Sequence, residues 1–467
     1  MSSTLAIVLL VSELFGVLLA IDAVMRPRSP QGAIAWSVAL VSIPTLAIPI
    51  YLVFGRTQFR GYAEAMREKE RQLDERISDW YRRIAAFAAQ PKPGLERIEA
   101  VARRLTDVPF TGGNRVDLLV DAEATYGAML DAIEQAESYV LVQFYIVRDD
   151  RSGQALRDAL IERARGGVRV YFLYDEIGSI KLPASYLDEM RRAGVHVSGF
   201  RTTQGFLNRF QINFRNHRKL LVVDGRTGFI GGLNLGDEYY GFRDTHLRIE
   251  GPAVQQIQLT VRKDWYWATR ELVEVAAQPI VEAEPGEAVA IVNTGPADRA
   301  PKCSILFSEL VASARSRVWI ASPYFVPDDV MTRAMQSAAK RGVDVRVLLP
   351  DEPDQRFVEL ASLTYYTEMI DCGVRLFRYK GRFMHHKVVL VDEELAAVGT
   401  VNLDYRSLYL NFEETAVVAD TQFARRVEAM LEYDLSHCDE VSSGYLENEP
   451  LHIRVQARVA RLASPLL

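Results

Sequence analysis

The stretch Asn216-His-Arg-Lys-Leu-Leu-Val-Val-Asp224 recurs with its spacing intact as His385-His-Lys-Val-Val-Leu-Val-Asp392, and this recurrence decides the fold. In both copies a histidine and a lysine two positions apart open a four-residue apolar run that closes on an aspartate. Residues i and i+2 of a strand project to one face, so each copy presents an imidazole and an ammonium group side by side. A turn and a second strand follow, ending in Gly231-Gly-Leu-Asn234 and Gly399-Thr-Val-Asn402. The small residues Gly231, Gly399 and Thr400 are expected to let backbone approach a ligand, and the amides of Asn234 and Asn402 supply donors.

The duplication extends outward on both sides. Met129–Ser138 reads as a helix, Tyr139–Ile146 as a strand, Gly153–Arg165 as a helix and Val168–Tyr174 as a strand. The same order returns in Ile305–Ser316, Val318–Phe325, Val330–Lys340 and Val343–Leu349. Helices alternating with short two-sided apolar strands predict an α/β fold of two pseudo-twofold-related lobes with mixed, largely parallel sheets flanked by helices. The lobes are expected over 107–287 and 288–467, with the Pro- and Glu-rich stretch Ala276–Glu287 as linker. Val116–Val120 and Ala288–Val292 are their expected opening strands.

Ahead of the lobes lie two apolar runs, Thr4–Met25 and Gly32–Phe54, joined by the polar turn 26–31. Helices of ~20 residues cross a bilayer core, so residues 1–55 predict a two-helix membrane hairpin. The absence of a basic n-region and the second run argue against a cleaved signal peptide. Pro44 and Pro49 leave a re-entrant or interfacial second segment as the alternative. Arg56, Arg60, Arg67, Lys69 and Arg71 outnumber the two arginines of the turn, which predicts a multi-pass protein with residues 56 onward in the cytoplasm. Glu13 and Asp22 read either as marking a helix contact or a polar path, or as protonated or interfacially placed acids. Residues 56–106 read as an amphipathic helical connector.

The chain has 467 residues and a net charge of -6, from 55 basic and 61 acidic residues, so no basic footprint points to nucleic acid. Three dispersed cysteines support neither a disulfide framework nor a zinc cluster, and no metal site is expected. Homo-oligomerisation is compatible with the sequence and not specified by it.

A phosphodiester centre needs an imidazole nucleophile, cationic and amide donors for the charged oxygens, and an acid for the leaving group. The twin constellation offers these, with His217, Lys219, His385 and Lys387 as the catalytic candidates. Asp224 and Asp392 complete the motif but stand seven residues past their histidines, at the far strand end, and read as anchors. Aligning the repeats sets Asp244 opposite Glu413, each expected to hold the far nitrogen of a catalytic imidazole. His386 is expected on the opposite strand face, in a structural role. The loop Phe200–Phe214, mixing aromatics with Arg201 and Arg209, reads either as a membrane-interface loop or as a packed one.

The doubled His-x-Lys-x4-Asp pattern with its Gly-[Gly/Thr]-x-Asn ending resembles the phospholipase D superfamily. The extension Gly399–Glu413, the Glu250-Gly-Pro252 turn, Ala321–Pro327 and the ending Ser464–Leu467 are similar to bacterial cardiolipin synthases. That resemblance implies a cofactor-free, metal-free, two-step phosphatidyl transfer. His217 would attack the phosphorus of phosphatidylglycerol, with His385 as general acid and then base, and a second phosphatidylglycerol as acceptor. Lys219, Lys387, Asn234 and Asn402 would hold the phosphoryl oxygens. A phospholipase D-type phosphodiesterase that uses water or another alcohol shares the same catalytic residues.

Overall fold

Alternating apolar strands and capped helices build one continuous sheet, here in a computed structural model that describes all residues except 1–2, 26–29, 57, 73, 91, 205–207, 209, 276–279 and 283–285. Residues 26–29 of the predicted turn 26–31, part of the 200–214 loop including Arg209, and most of the predicted linker lie outside the described residues. From its outer edge, the first half of the sheet runs His196–Phe200, Arg169–Asp175, Tyr139–Phe144, Leu220–Val223, Thr227–Gly231, Thr245–Glu250 and Thr111–Val120. The second half repeats that order: Arg375–Tyr379, Asp344–Pro350, Arg317–Ala321, Val388–Val391, Leu395–Gly399, Asn411–Ala419 and Glu287–Thr294, with Cys438–Glu440 added at its outer edge. The halves join where the two predicted opening strands pair antiparallel, Thr111 against Val289 and Asn114 against Glu287. The α/β fold and its pseudo-twofold duplication are thus present.

Parallel pairing joins the first three strands named for each half, where helices make the crossovers, while the added edge strand Cys438–Glu440 pairs antiparallel. Inward the pairing is antiparallel, because the motif strand and the next are joined by a tight turn and not by a helix. The turns open on Asp224 and Asp392, both in the left-handed region at φ 52° and 51°. The largely parallel sheet read from helix–strand alternation therefore holds for the outer strands only. Helices cover both faces, and the strand Asn411–Ala419 is buried along its whole length.

The N-terminal segment departs from expectation. Among the described residues no helix is long and apolar enough to cross a membrane. The second apolar run breaks before Pro44 into helices of 13 and 11 residues, Pro30–Ser42 and Pro44–Phe54, each short of the ~20 needed to span. Proline favours the first turn of a new helix and cannot continue the old one, so Pro44 begins the second piece. The multi-pass arrangement expected of residues 1–55 is accordingly not supported. The helices do form a hairpin: Ser3–Met25 packs on both pieces through Ala20, Ala23, Leu40, Ala47 and Tyr51, and the Tyr51 hydroxyl donates to Asp22 at 3.0 Å. Leu10, Leu14, Leu18, Ile21, Val38 and Leu46 are exposed on its outside.

The connector holds the helices Arg60–Gln72, Asp74–Ala85 and Glu96–Thr106. Phe59, Tyr62, Ala65 and Met66 are buried in the same core as the strands of the sheet.

Candidate active site

The two motifs meet at the junction of the halves because each borrows a strand from the other. Arg215–Asn216 pairs in parallel with Asn411–Phe412, and Phe242–Arg243 with Phe383–Met384. The His217 amide donates to the Phe412 carbonyl at 3.0 Å, and the His385 amide to the Arg243 carbonyl at 2.8 Å. Each histidine therefore sits beside the carboxylate of the opposite half. His217 Nδ1 lies 3.0 Å from both Glu413 oxygens, and His385 Nδ1 lies 2.5 Å from Asp244 Oδ2. Glu413 and Asp244 are fully buried, and both imidazoles are buried.

Burial pushes the imidazoles down, His217 to about 4 and His385 to about 3, against the pull of their carboxylates. Burial alone would raise both carboxyls, but the histidine and lysine beside each hold them below the ordinary range. The resting pairs are thus neutral imidazole and carboxylate, with Nδ1–H donated to the acid and the Nε2 lone pair available.

Lys219 and Lys387 are buried and donate to the backbone carbonyls of their own histidines at 2.5 and 2.6 Å. Burial depresses both ammonium groups, that of Lys387 to about 8. Lys387 also lowers His217 and Lys219 lowers His385, so each half-site lies in the electrostatic field of the other.

Asn234 uses its carbonyl to accept from the Ile146 amide at 3.1 Å, and Asn402 is buried with an unpartnered Oδ1. Asp224 and Asp392 do not join the cluster. Asp224 accepts from the amides of Glu137, Ser138 and Tyr139 at 2.8 Å each, and Asp392 from Ser316 at 2.9 Å and Arg317 at 3.0 Å, pinning the turn to the start of the neighbouring strand.

Close packing leaves no room for a Cβ at these glycines. A Cβ on Gly231 would stand 2.5 Å from the Thr245 carbonyl oxygen, one on Gly399 2.3 Å from that of Glu414, and one on Gly232 2.2 Å from Asp244 Oδ1. Thr400, at the position matching Gly232, donates its hydroxyl to Glu413 Oε2, so the half-sites are unequal. His386 is fully buried between Thr245 and Asp434. Arg201 of the 200–214 loop is ion-paired to Glu176.

Sequence reasoning missed the carboxylates behind the motifs. Asp175 accepts from the Asn216 amide at 2.9 Å, and burial raises it to about 6.

Comparison with known proteins agrees with this geometry. The family described as "Cardiolipin synthase, PLD-like domain" matches residues 129–265 and 307–435, one copy in each half, and "Phospholipase_D-nuclease N-terminal" matches 14–56. "Cardiolipin synthase A" of Pseudomonas aeruginosa (strain LESB58) is 46% identical across 100% of this chain and 97% of its own length. The chain belongs to the cardiolipin synthase family. The protein of the same name from Pseudomonas syringae pv. syringae (strain B728a) is 44% identical over 97% of each chain. Among solved structures, phosphatidylserine synthase of Haemophilus influenzae Rd KW20 superimposes with a TM-score of 0.61 at 14% identity, over 80% of this chain and 100% of that one. That likeness concerns the fold alone.

Proposed function

We propose that this membrane-associated phosphatidyltransferase makes cardiolipin and glycerol from two phosphatidylglycerol molecules through a phosphohistidine intermediate. The crossed pairing of two buried imidazoles with two buried carboxylates carries this reading. With Nδ1–H held by Glu413, His217 attacks phosphorus through Nε2. A P–N bond forms and the P–O bond to glycerol breaks. The glyceryl oxygen takes a proton from His385 Nε2. That proton is present because an anionic phosphodiester beside the ring, together with Asp244, favours the imidazolium over the neutral form of the empty site.

In the second step the free hydroxyl of another phosphatidylglycerol gives its proton to His385 Nε2 and attacks phosphorus. The P–N bond breaks, cardiolipin leaves, and both rings return to their starting states. Lys219, Lys387 and the amides of Asn234 and Asn402 hold the non-bridging oxygens, where charge grows in each transition state.

The exposed apolar face of the hairpin embeds in the bilayer, and the basic residues after it favour a catalytic body at the cytoplasmic surface. Incubation of the purified enzyme with phosphatidylglycerol alone tests the activity. Mass spectrometry is expected to find cardiolipin and glycerol; phosphatidic acid as sole lipid product would select the hydrolytic alternative.

A further inference from the structure

Behind His217 lies a carboxylate that no step above uses. Asp264, on the helix Val254–Thr269, is fully buried and meets four side-chain donors. Its Oδ2 accepts from Gln143 Nε2 at 2.8 Å, Asn216 Nδ2 at 2.8 Å and the Arg218 guanidinium at 2.7 Å. Its Oδ1 accepts from the Tyr62 hydroxyl at 2.8 Å. One carboxylate thus grips the residues on both sides of His217 in the chain.

Arg218 extends the grip. Its Nε donates to the backbone carbonyl of Glu413 at 3.1 Å and its outer nitrogen to that of Thr294 at 3.0 Å. Glu413 is the residue whose side chain holds His217 Nδ1. A rotation of the Asp264 carboxylate therefore acts on both members of the His217–Glu413 pair.

The second half has a counterpart. His386 follows His385 and its Nε2 lies 3.1 Å from Asp434 Oδ2, on the helix Thr421–Leu435, while Asp434 Oδ1 accepts from Arg243 at 2.7 Å. Tyr62 belongs to the helix Arg60–Gln72, outside the duplicated halves. Its ring packs 4.7 Å from that of Phe412. Phe59, one turn earlier, stacks on Phe214 at 5.4 Å and meets Trp267 edge-on at 5.0 Å. The segment that leaves the apolar hairpin thus ends its docking in a hydrogen bond to the Asp264 hub.

We propose that Asp264 and Tyr62 are positioning residues for His217, so that docking of the segment after the hairpin aligns one half-site and leaves the other to Asp434. This rests on the assignment of His217 to the reaction. The Tyr62 hydroxyl meets Oδ1 while the other three donors meet Oδ2. Losing it frees the carboxylate to turn, and the three Oδ2 contacts loosen in the same motion. A catalytic group displaced by a fraction of an ångström still binds substrate but reacts more slowly.

The test is a set of kinetic double-mutant cycles on the full-length enzyme in mixed micelles containing phosphatidylglycerol. Tyr62→Phe is expected to lower kcat about tenfold with KM unchanged. In a Glu413→Gln background the same change should cost little more, because both losses act on one pair, whereas with Asp244→Asn the losses should multiply. Asp264→Asn is the second route to the same readout, should the tyrosine variant fail to fold. Wild-type kcat in a folded Tyr62→Phe enzyme, or losses that multiply fully with Glu413→Gln, overturns the proposal. His217→Gln separates the two readings: retained turnover there rejects the assignment of His217, while an inactive His217→Gln beside an unaffected Tyr62→Phe rejects only the positioning role.

Discussion

Replacing Glu413 by Gln keeps the shape of the side chain and an oxygen for the Nδ1–H of His217, but removes a fully buried negative charge whose oxygens both lie 3.0 Å from that nitrogen. When phosphorus bonds to Nε2 the ring becomes cationic, and the carboxylate then faces a positive charge about 4 Å away, an attraction of ~4 kcal/mol at an effective dielectric constant near 20. The retained hydrogen bond offsets part of that loss, leaving about 2 to 3 kcal/mol, or roughly a 30- to 150-fold fall in kcat. Phosphatidylglycerol dispersed in detergent micelles, with cardiolipin quantified by mass spectrometry over a range of lipid mole fractions, separates kcat from KM. KM should stay near the wild-type value, since the charge matters after binding. A folded Glu413→Gln enzyme turning over within about threefold of wild type would refute the assignment of this carboxylate to the imidazole.

Other outcomes follow from the same geometry. Burial brings the Lys387 ammonium down to about 8, so turnover should fall as pH rises through that value, and Lys387→Arg should abolish that alkaline limb at a lower plateau rate; an unshifted limb assigns the titration elsewhere. The histidine pKa values are lower in the fold than in the unfolded chain, so from ~6.5 down to about 4 for His217 and about 3 for His385 the unfolded state binds more protons. Stability should be fully present above ~6.5 and decline through that window on acidification, and His217→Gln should flatten the decline in a denaturant titration. Asp224→Ala strips the acceptor from three backbone amides and should cost about 2 to 3 kcal/mol of stability, seen as a lower Tm in a protein whose KM is unchanged.

The motif histidines and lysines were legible because the repeat doubles the signal: a lone His-x-Lys is common, whereas two copies in register within matched strand–helix surroundings specify both the strand face and the symmetry. Aligning the repeats also brought out Asp244 and Glu413. Their crosswise partnership was not legible, since a register between two segments of one chain does not say which half a side chain reaches. That is decided by the short strands Arg215–Asn216 and Phe242–Arg243, each two residues long and too brief to leave a periodicity. Asp264 was hidden for a different reason. A single acid on a helix reads as a solvated position, and only the fold shows that Asp264 and Asp434 lie on helices that follow corresponding strands, Thr245–Glu250 and Asn411–Ala419. The second N-terminal run was legible as apolar but not as two short helices, because Pro44 ends one helix by starting the next.

The central claim is that two imidazoles from different halves act on one phosphorus atom, one bonding to it and the other moving the proton. Rapid quenching of the enzyme during turnover of phosphate-labelled phosphatidylglycerol, under alkaline conditions that preserve phosphoramidates, followed by peptide mapping, tests it directly. The label should reside on the peptide carrying His217, and should accumulate there when phosphatidylglycerol is supplied at less than one molecule per enzyme, so that no acceptor remains. Label on neither histidine peptide, with cardiolipin still being made, would contradict it.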